Sequence, residues 1–153
     1  MPQKAIPIVM SDEKYLPYLK EKNRQIGERS KIISNILQDI PFITFNETFG
    51  AFYNTIVFKE DVLKEKQFLQ IDDERQQALL DSWLTDDIAF DKRFVYYLLA
   101  AKGVCVVPLS SFHSELKGFR VTLLEENEKL LIEIFSKIKD ALMEYCESHV
   151  VLQ

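Results

Sequence analysis

Two pairs of short β-rich runs, each pair flanked by stretches of helical periodicity, restrict this chain to few architectures. Residues 42–45 (FITF) and 51–58 (AFYNTIVF) form the first pair. The intervening NETFG supplies the turn residues Asn46 and Gly50, so the pair predicts an antiparallel hairpin. Residues 104–108 (VCVVP) form a continuous apolar run, which predicts a buried strand. After the loop SSFHSELKG, residues 119–124 (FRVTLL) predict the fourth strand. With the helical stretches added, the order is helix, two strands, two helices, two strands, helix. That order predicts an α+β sandwich, a small and mainly antiparallel sheet with helices packed on one side.

The helices follow from spacing and capping. Ser11 is a candidate N-cap with Asp12 and Glu13 in the first turn, and Pro17 predicts a short first turn before a long helix restarts near it. Ile26, Ile33, Ile36, Leu37 and Ile40 form its apolar stripe, and Pro41 ends it. Gly27 interrupts that stripe at a cost of about 1 kcal/mol relative to Ala, with no visible compensation. Residues 59–70 predict a surface connection with a short helix. A helix over 73–84 places Leu79, Leu80, Trp83 and Leu84 on its inner side. Asp86 or Asp87 caps the next helix, which presents Phe90, Phe94, Leu98 and Ala101 on one face and stops at Gly103. The last helix begins around Glu126 and carries Leu130, Ile134, Phe135, Ile138, Ala141, Leu142 and Tyr145 at helical spacing.

Composition excludes several function classes. The chain has 153 residues, enough for one domain that buries about two thirds of its unfolded surface. Its net charge is -5 with both signs interspersed, which disfavours nucleic-acid binding. Two Cys and two His, scattered along the chain, offer no zinc-ligand spacing. Cys105, inside the apolar run, is expected to be a small buried thiol. No signal peptide or membrane-length apolar run is present, so a soluble, cytoplasmic protein without membrane contact is expected. The opening PQKAIPIVM is unusually apolar for an exposed N-terminus. Residues 1–12 are therefore expected to be an inter-domain segment of a longer protein, with Met1 an addition.

Candidate chemistry is sparse. Ser30-Lys31 and Ser136-Lys137 raise imine-forming lysines, but both lie between helical apolar positions with their ammonium heads free to reach water. The doublets Asp72-Asp73 and Asp86-Asp87 stand ahead of helical patterns, and capping accounts for them better than acid–base catalysis. His113, beside Ser110, Ser111, Ser114 and Glu115, matches a triad in composition only; an exposed loop histidine is the simpler reading. Arg120 differs in kind. On a central strand a guanidinium must be solvated or paired, because an unpaired buried one costs several kcal/mol. Pattern alone favours a solvated face, while the planar fork also suits a bidentate grip on a carboxylate.

The ordered set of runs resembles a known family. Residues 93–138, RFVYYLLAAKGVCVVPLSSFHSELKGFRVTLLEENEKLLIEIFSKI, resemble the C-terminal segment of class I, fold-type-I pyridoxal-phosphate-dependent aminotransferases. The nearest look is to the alanine aminotransferase branch, whose strand is similar to GVCVVP. Upstream, ERSKIISNIL (28–37) looks like the family's long helix and FNETFGAFY (45–53) like its Gly-Ala/Gly-Phe-Tyr strand. The family loop Pro-Gly-Ser-x-Phe-Gly is here Pro108-Leu109-Ser110-Ser111-Phe112-His113, with both glycines replaced. That puts in doubt the backbone conformation they permit.

The resemblance implies the C-terminal small domain of an aminotransferase that moves an amino group between an amino acid and a 2-oxo acid. It places Arg120 on the substrate α-carboxylate, with small-domain movement closing the site. The family's cofactor lysine, Asn-Pro-x-Gly segment and pyridine-pairing Asp have no counterpart in these residues. The resemblance therefore implies no catalytic residue in this chain, pyridoxal phosphate held only in a full-length enzyme, and no activity from this chain alone. The implied partners are an absent large cofactor-binding domain and, for the whole enzyme, a second copy in a homodimer. Two alternatives stay open: the small domain of another fold-type-I enzyme such as a carbon–sulfur lyase, and a self-sufficient α+β binding module in which Arg120 is a solvated strand residue.

Overall fold

A strand near the C-terminal end organises the sheet. In the computed structural model, which describes residues 2–148, β4 (Gly118–Thr122) pairs antiparallel with β2 (Tyr53–Phe58) on one side and with β3 (Val107–Pro108) on the other. β1 (Ile43–Phe45) closes the hairpin with β2, giving four antiparallel strands in the order β1-β2-β4-β3. Met1 lies outside the described residues. β4 runs so close to β2 that a Cβ on Gly118 would collide with the Ile56 carbonyl oxygen, which explains glycine there.

Strict alternation gives the sheet one covered and one open face. Ile56 and Phe58 of β2 and Phe119 and Val121 of β4 are buried, whereas Tyr53, Thr55 and Thr122 are exposed and Arg120 is half-buried. The covered face receives α2 (Tyr15–Leu37), α4 (Phe90–Lys102) and α5 (Glu128–Glu147). Phe94 of α4 is the hub, with ring centroids 5.2 Å from Phe58, 5.4 Å from Phe119 and 5.2 Å from Tyr145. Edge and tilted stacks of this kind add to the burial of the rings themselves. The architecture is the expected α+β sandwich with helices on one face.

Several local expectations are corrected. Ser11 does not open a helix: it ends α1 (Pro2–Met10), its Oγ donating to the Ile8 carbonyl. α2 starts at Tyr15, so Pro17 falls within its first turn, where a missing N–H costs nothing, and the helix runs on unbroken. Residues 59–70 contain no helix. They form an irregular strap held by buried Gln67, which donates to the Val62 and Cys146 carbonyls and accepts from the Lys64 N–H. Asp73 caps α3 (Glu74–Trp83) as expected, accepting from two backbone N–H groups, yet of its apolar residues only Leu80 is buried and Leu79 faces water. Neither Asp86 nor Asp87 caps α4, whose N-cap is Ala89; Asp87 accepts from the Thr85 hydroxyl instead. Phe90 is exposed and Asp91 takes the buried position beside it. Gly103 ends α4 in the left-handed conformation, as expected. α5 begins at Glu128 under an Asn127 cap, and its buried stripe includes Leu131 rather than Leu130.

The run 104–108 departs most from its reading. Only two of its residues pair, and they do so at the sheet edge. Val104, Val106 and Pro108 point inward while Cys105 and Val107 are exposed, so Cys105 is not the buried thiol expected from the apolar run. A second apolar surface lies at the other end: Ile6, Ile8, Val9, Met10, Leu16 and Tyr18 on α1 and early α2 are all exposed, Ile8 by 73%.

Candidate functional site

Arg120 stands on the open face with Thr55 of β2 and Val107 of β3 as its cross-strand neighbours. Its guanidinium lies between two aromatic rings, 4.3 Å from the Phe112 centroid and 5.1 Å from that of Tyr53. The contacts are cation–π in character, and guanidinium planes stack well on ring faces. Nε is buried and, among the described residues, finds no hydrogen-bond acceptor; no ion pair with a carboxylate joins the side chain. A cation held by rings and not by an acid is electrostatically unneutralised.

The loop that delivers Phe112 is shaped by a residue the sequence reading passed over. Asp91, wholly buried in the first turn of α4, accepts from the Ser110 N–H at 2.9 Å and the Gly118 N–H at 3.3 Å through Oδ2. Its Oδ1 accepts from the Lys92 N–H. One carboxylate thus ties α4 to the 3₁₀ turn Leu109–Phe112 and to the start of β4. The signal lay in the spacing: Asp91 is three residues before Phe94 and seven before Leu98, on the inner face of α4. At the two positions where the resembled loop has glycine, the backbone differs. His113 itself adopts the left-handed conformation (φ 57°), and Leu109 has no positive φ. A cost of about 1–2 kcal/mol for a non-glycine residue there is carried by the surrounding turn.

Behind Arg120 the sheet opens. The β3–β4 ladder ends at Val107↔Arg120, and residues 104–106 diverge from 121–122. The gap is a cavity of about 520 Å³, floored by Leu131, Ile134, Phe135 and Ile138 of α5 and walled by Val104 and Val106. Arg120, Tyr53 and Phe112 form one side of it, and Cys105, Thr122 and Glu125 also line it. Its size and apolar lining with few polar groups match small-molecule sites in general. The exit of β4 is braced from α2, where Arg29 donates to the Leu123 carbonyl at 3.0 Å and Lys22 pairs with Glu126 at 3.1 Å.

The remaining candidates fall elsewhere. Lys31 and Lys137 are exposed, Lys137 pairing with Glu133, so neither fits a desolvated imine-forming amine. Ser30 is buried and accepts from the Thr48 N–H and hydroxyl, which pins the β1–β2 loop to α2. His113 is exposed, and Ser110 engages Asp91 through its backbone, so no triad forms. Cys146 lies in the core, where burial pushes its thiol up to about 12. Among the described residues no helix is long and apolar enough to cross a membrane.

No protein-family model matches the chain. Over 148 residues, 97% of its length, the chain is 38% identical to an uncharacterized aminotransferase of Methanocaldococcus jannaschii, of which it spans 34%. Nearly all of this chain is therefore similar to about a third of an aminotransferase.

Proposed function

We propose that the chain is the C-terminal small domain of a pyridoxal-phosphate-dependent aminotransferase, in which Arg120 binds the α-carboxylate of an amino acid or 2-oxo acid. The observation that carries the reading is the state of Arg120: half-buried, clamped by Phe112 and Tyr53, without an acid, beside a cavity. Such a guanidinium favours a planar anion that can accept two parallel N–H···O bonds and so be oriented for reaction. Similarity to an aminotransferase over nearly the whole chain supports the same reading. Neither Lys31 nor Lys137, both exposed, fits a desolvated imine-forming amine. The exposed apolar residues of α1 and early α2 suit packing against that remainder.

The test is Arg120→Ala in the longer enzyme. The substitution is expected to weaken amino-acid binding by about 2–5 kcal/mol, the usual loss when one partner of a desolvated charge pair is removed, and to leave the cofactor's absorbance intact. Unchanged KM and kcat for the amino acid would refute the assignment.

A further inference from the structure

We infer that the gap between residues 104–106 and 121–122 is a binding slot for an apolar substituent of the carboxylate held by Arg120. The inference rests on the reading of Arg120 as carboxylate-binding and names the class of ligand: monocarboxylates with a neutral branched or aromatic substituent. Three observations carry it. The ladder from β4 to the edge strand stops at Val107↔Arg120, so the opening begins at the arginine itself. Its lining is mainly apolar, from the side chains of Val104, Val106, Leu131, Ile134, Phe135 and Ile138. The cavity of about 520 Å³ lies within the range of small-ligand sites and leaves room for a branched or aromatic substituent.

Charge narrows the class. Besides Arg120, the one charged side chain on the described lining is Glu125, whose Oε1 accepts from the Asn127 N–H. A second carboxylate on the ligand would meet that negative charge with no cation to neutralise it. Acidic substituents are therefore disfavoured, and very short ones leave apolar wall exposed to water. Among amino acids and their 2-oxo acids, the slot favours leucine-like and phenylalanine-like side chains over aspartate-like and alanine-like ones.

The chain itself provides the assay, by calorimetric titration with acetate, butyrate, 4-methylpentanoate and 3-phenylpropanoate. Affinity is expected to rise about threefold to fourfold for each methylene that becomes buried. Cys105, exposed on the lining, reports occupancy: 3-phenylpropanoate slows its alkylation by iodoacetamide, and acetate at the same concentration does not. Ile134→Trp fills the slot from α5 and should flatten the series to the acetate level. Equal affinity of the native chain for acetate and 3-phenylpropanoate would overturn the slot while leaving Arg120 as a carboxylate site. Affinities that Arg120→Gln leaves unchanged across the series would instead remove the arginine reading on which the slot depends. Absence of any carboxylate binding at millimolar concentration would overturn both.

Discussion

Replacing Asp91 by alanine should be among the most damaging single changes outside the aromatic core. The carboxylate is completely buried, and the Ser110 and Gly118 N–H groups converge on one of its oxygens at 2.9 and 3.3 Å. Removal leaves both donors without that acceptor, at about 1–3 kcal/mol each. The expected loss is therefore about 4 kcal/mol. Asparagine separates hydrogen bonding from charge. Its carbonyl oxygen can face Ser110 and Gly118 while its amide faces Lys92, whose N–H lies in the first helical turn and can turn to water. Asp91→Asn should thus cost only about 1 kcal/mol. Urea unfolding followed by circular dichroism measures both. With a slope of about 2 kcal/mol/M, the alanine variant's midpoint falls by about 2 M at unchanged slope. Amide exchange at Ser110 and Gly118 should accelerate more than elsewhere in β4. An alanine variant within about 1 kcal/mol of the native chain, or asparagine as harmful as alanine, would refute this account of how the 3₁₀ turn is held.

Two glycines should respond in opposite senses to alanine. Gly27→Ala meets nothing within 4 Å in mid-helix and should raise stability by about 0.5–1 kcal/mol, whereas Gly118→Ala forces β4 away from β2 and should destabilise the fold severely; chemical denaturation ranks both. Alkaline pH should weaken the chain through its core. The Cys146 thiol is pushed up to about 12 from 9.0 by burial, and burial also raises the Tyr145 phenol. In each case the folded state holds its proton longer than the unfolded one, so the stability is fully present below pH 9 and is lost as pH rises toward 12. Cys146→Ala should flatten part of that decline in a series of melting temperatures. A decline of the same steepness in Cys146→Ala and the native chain would count against the thiol's share.

Much of the fold was legible because periodicity and side-chain size act locally. The β1–β2 hairpin, the inward stripe of α5 and the stop at Gly103 follow from residues that sit next to their own causes. The failures share another origin. Val104–Pro108 is apolar throughout, yet helices cover only one face of the sheet, so every second residue of the run turns outward and Cys105 and Val107 are exposed; whether a second face is covered is decided by distant elements. Pro17 suggests a break only if the helix has already begun, and its start is set by the preceding turn at 11–14. His113 takes the left-handed conformation after the 3₁₀ turn without being glycine, and the turn before it is held by Asp91 from α4, a contact that spacing along the chain does not show. Arg120 could be singled out as an arginine on a strand. Its aromatic neighbours could not, since Tyr53 and Phe112 arrive from elements 59 residues apart in the chain.

The two rings over Arg120 have a thermodynamic consequence. A solvent-exposed arginine samples many rotamers and loses that freedom when it captures an anion, at about 0.5–1.5 kcal/mol. Here Phe112 and Tyr53 hold the side chain in place as the chain folds, so the same entropy is lost once, during folding, and is not lost again at each encounter with a ligand. The residue arrives at binding already aimed.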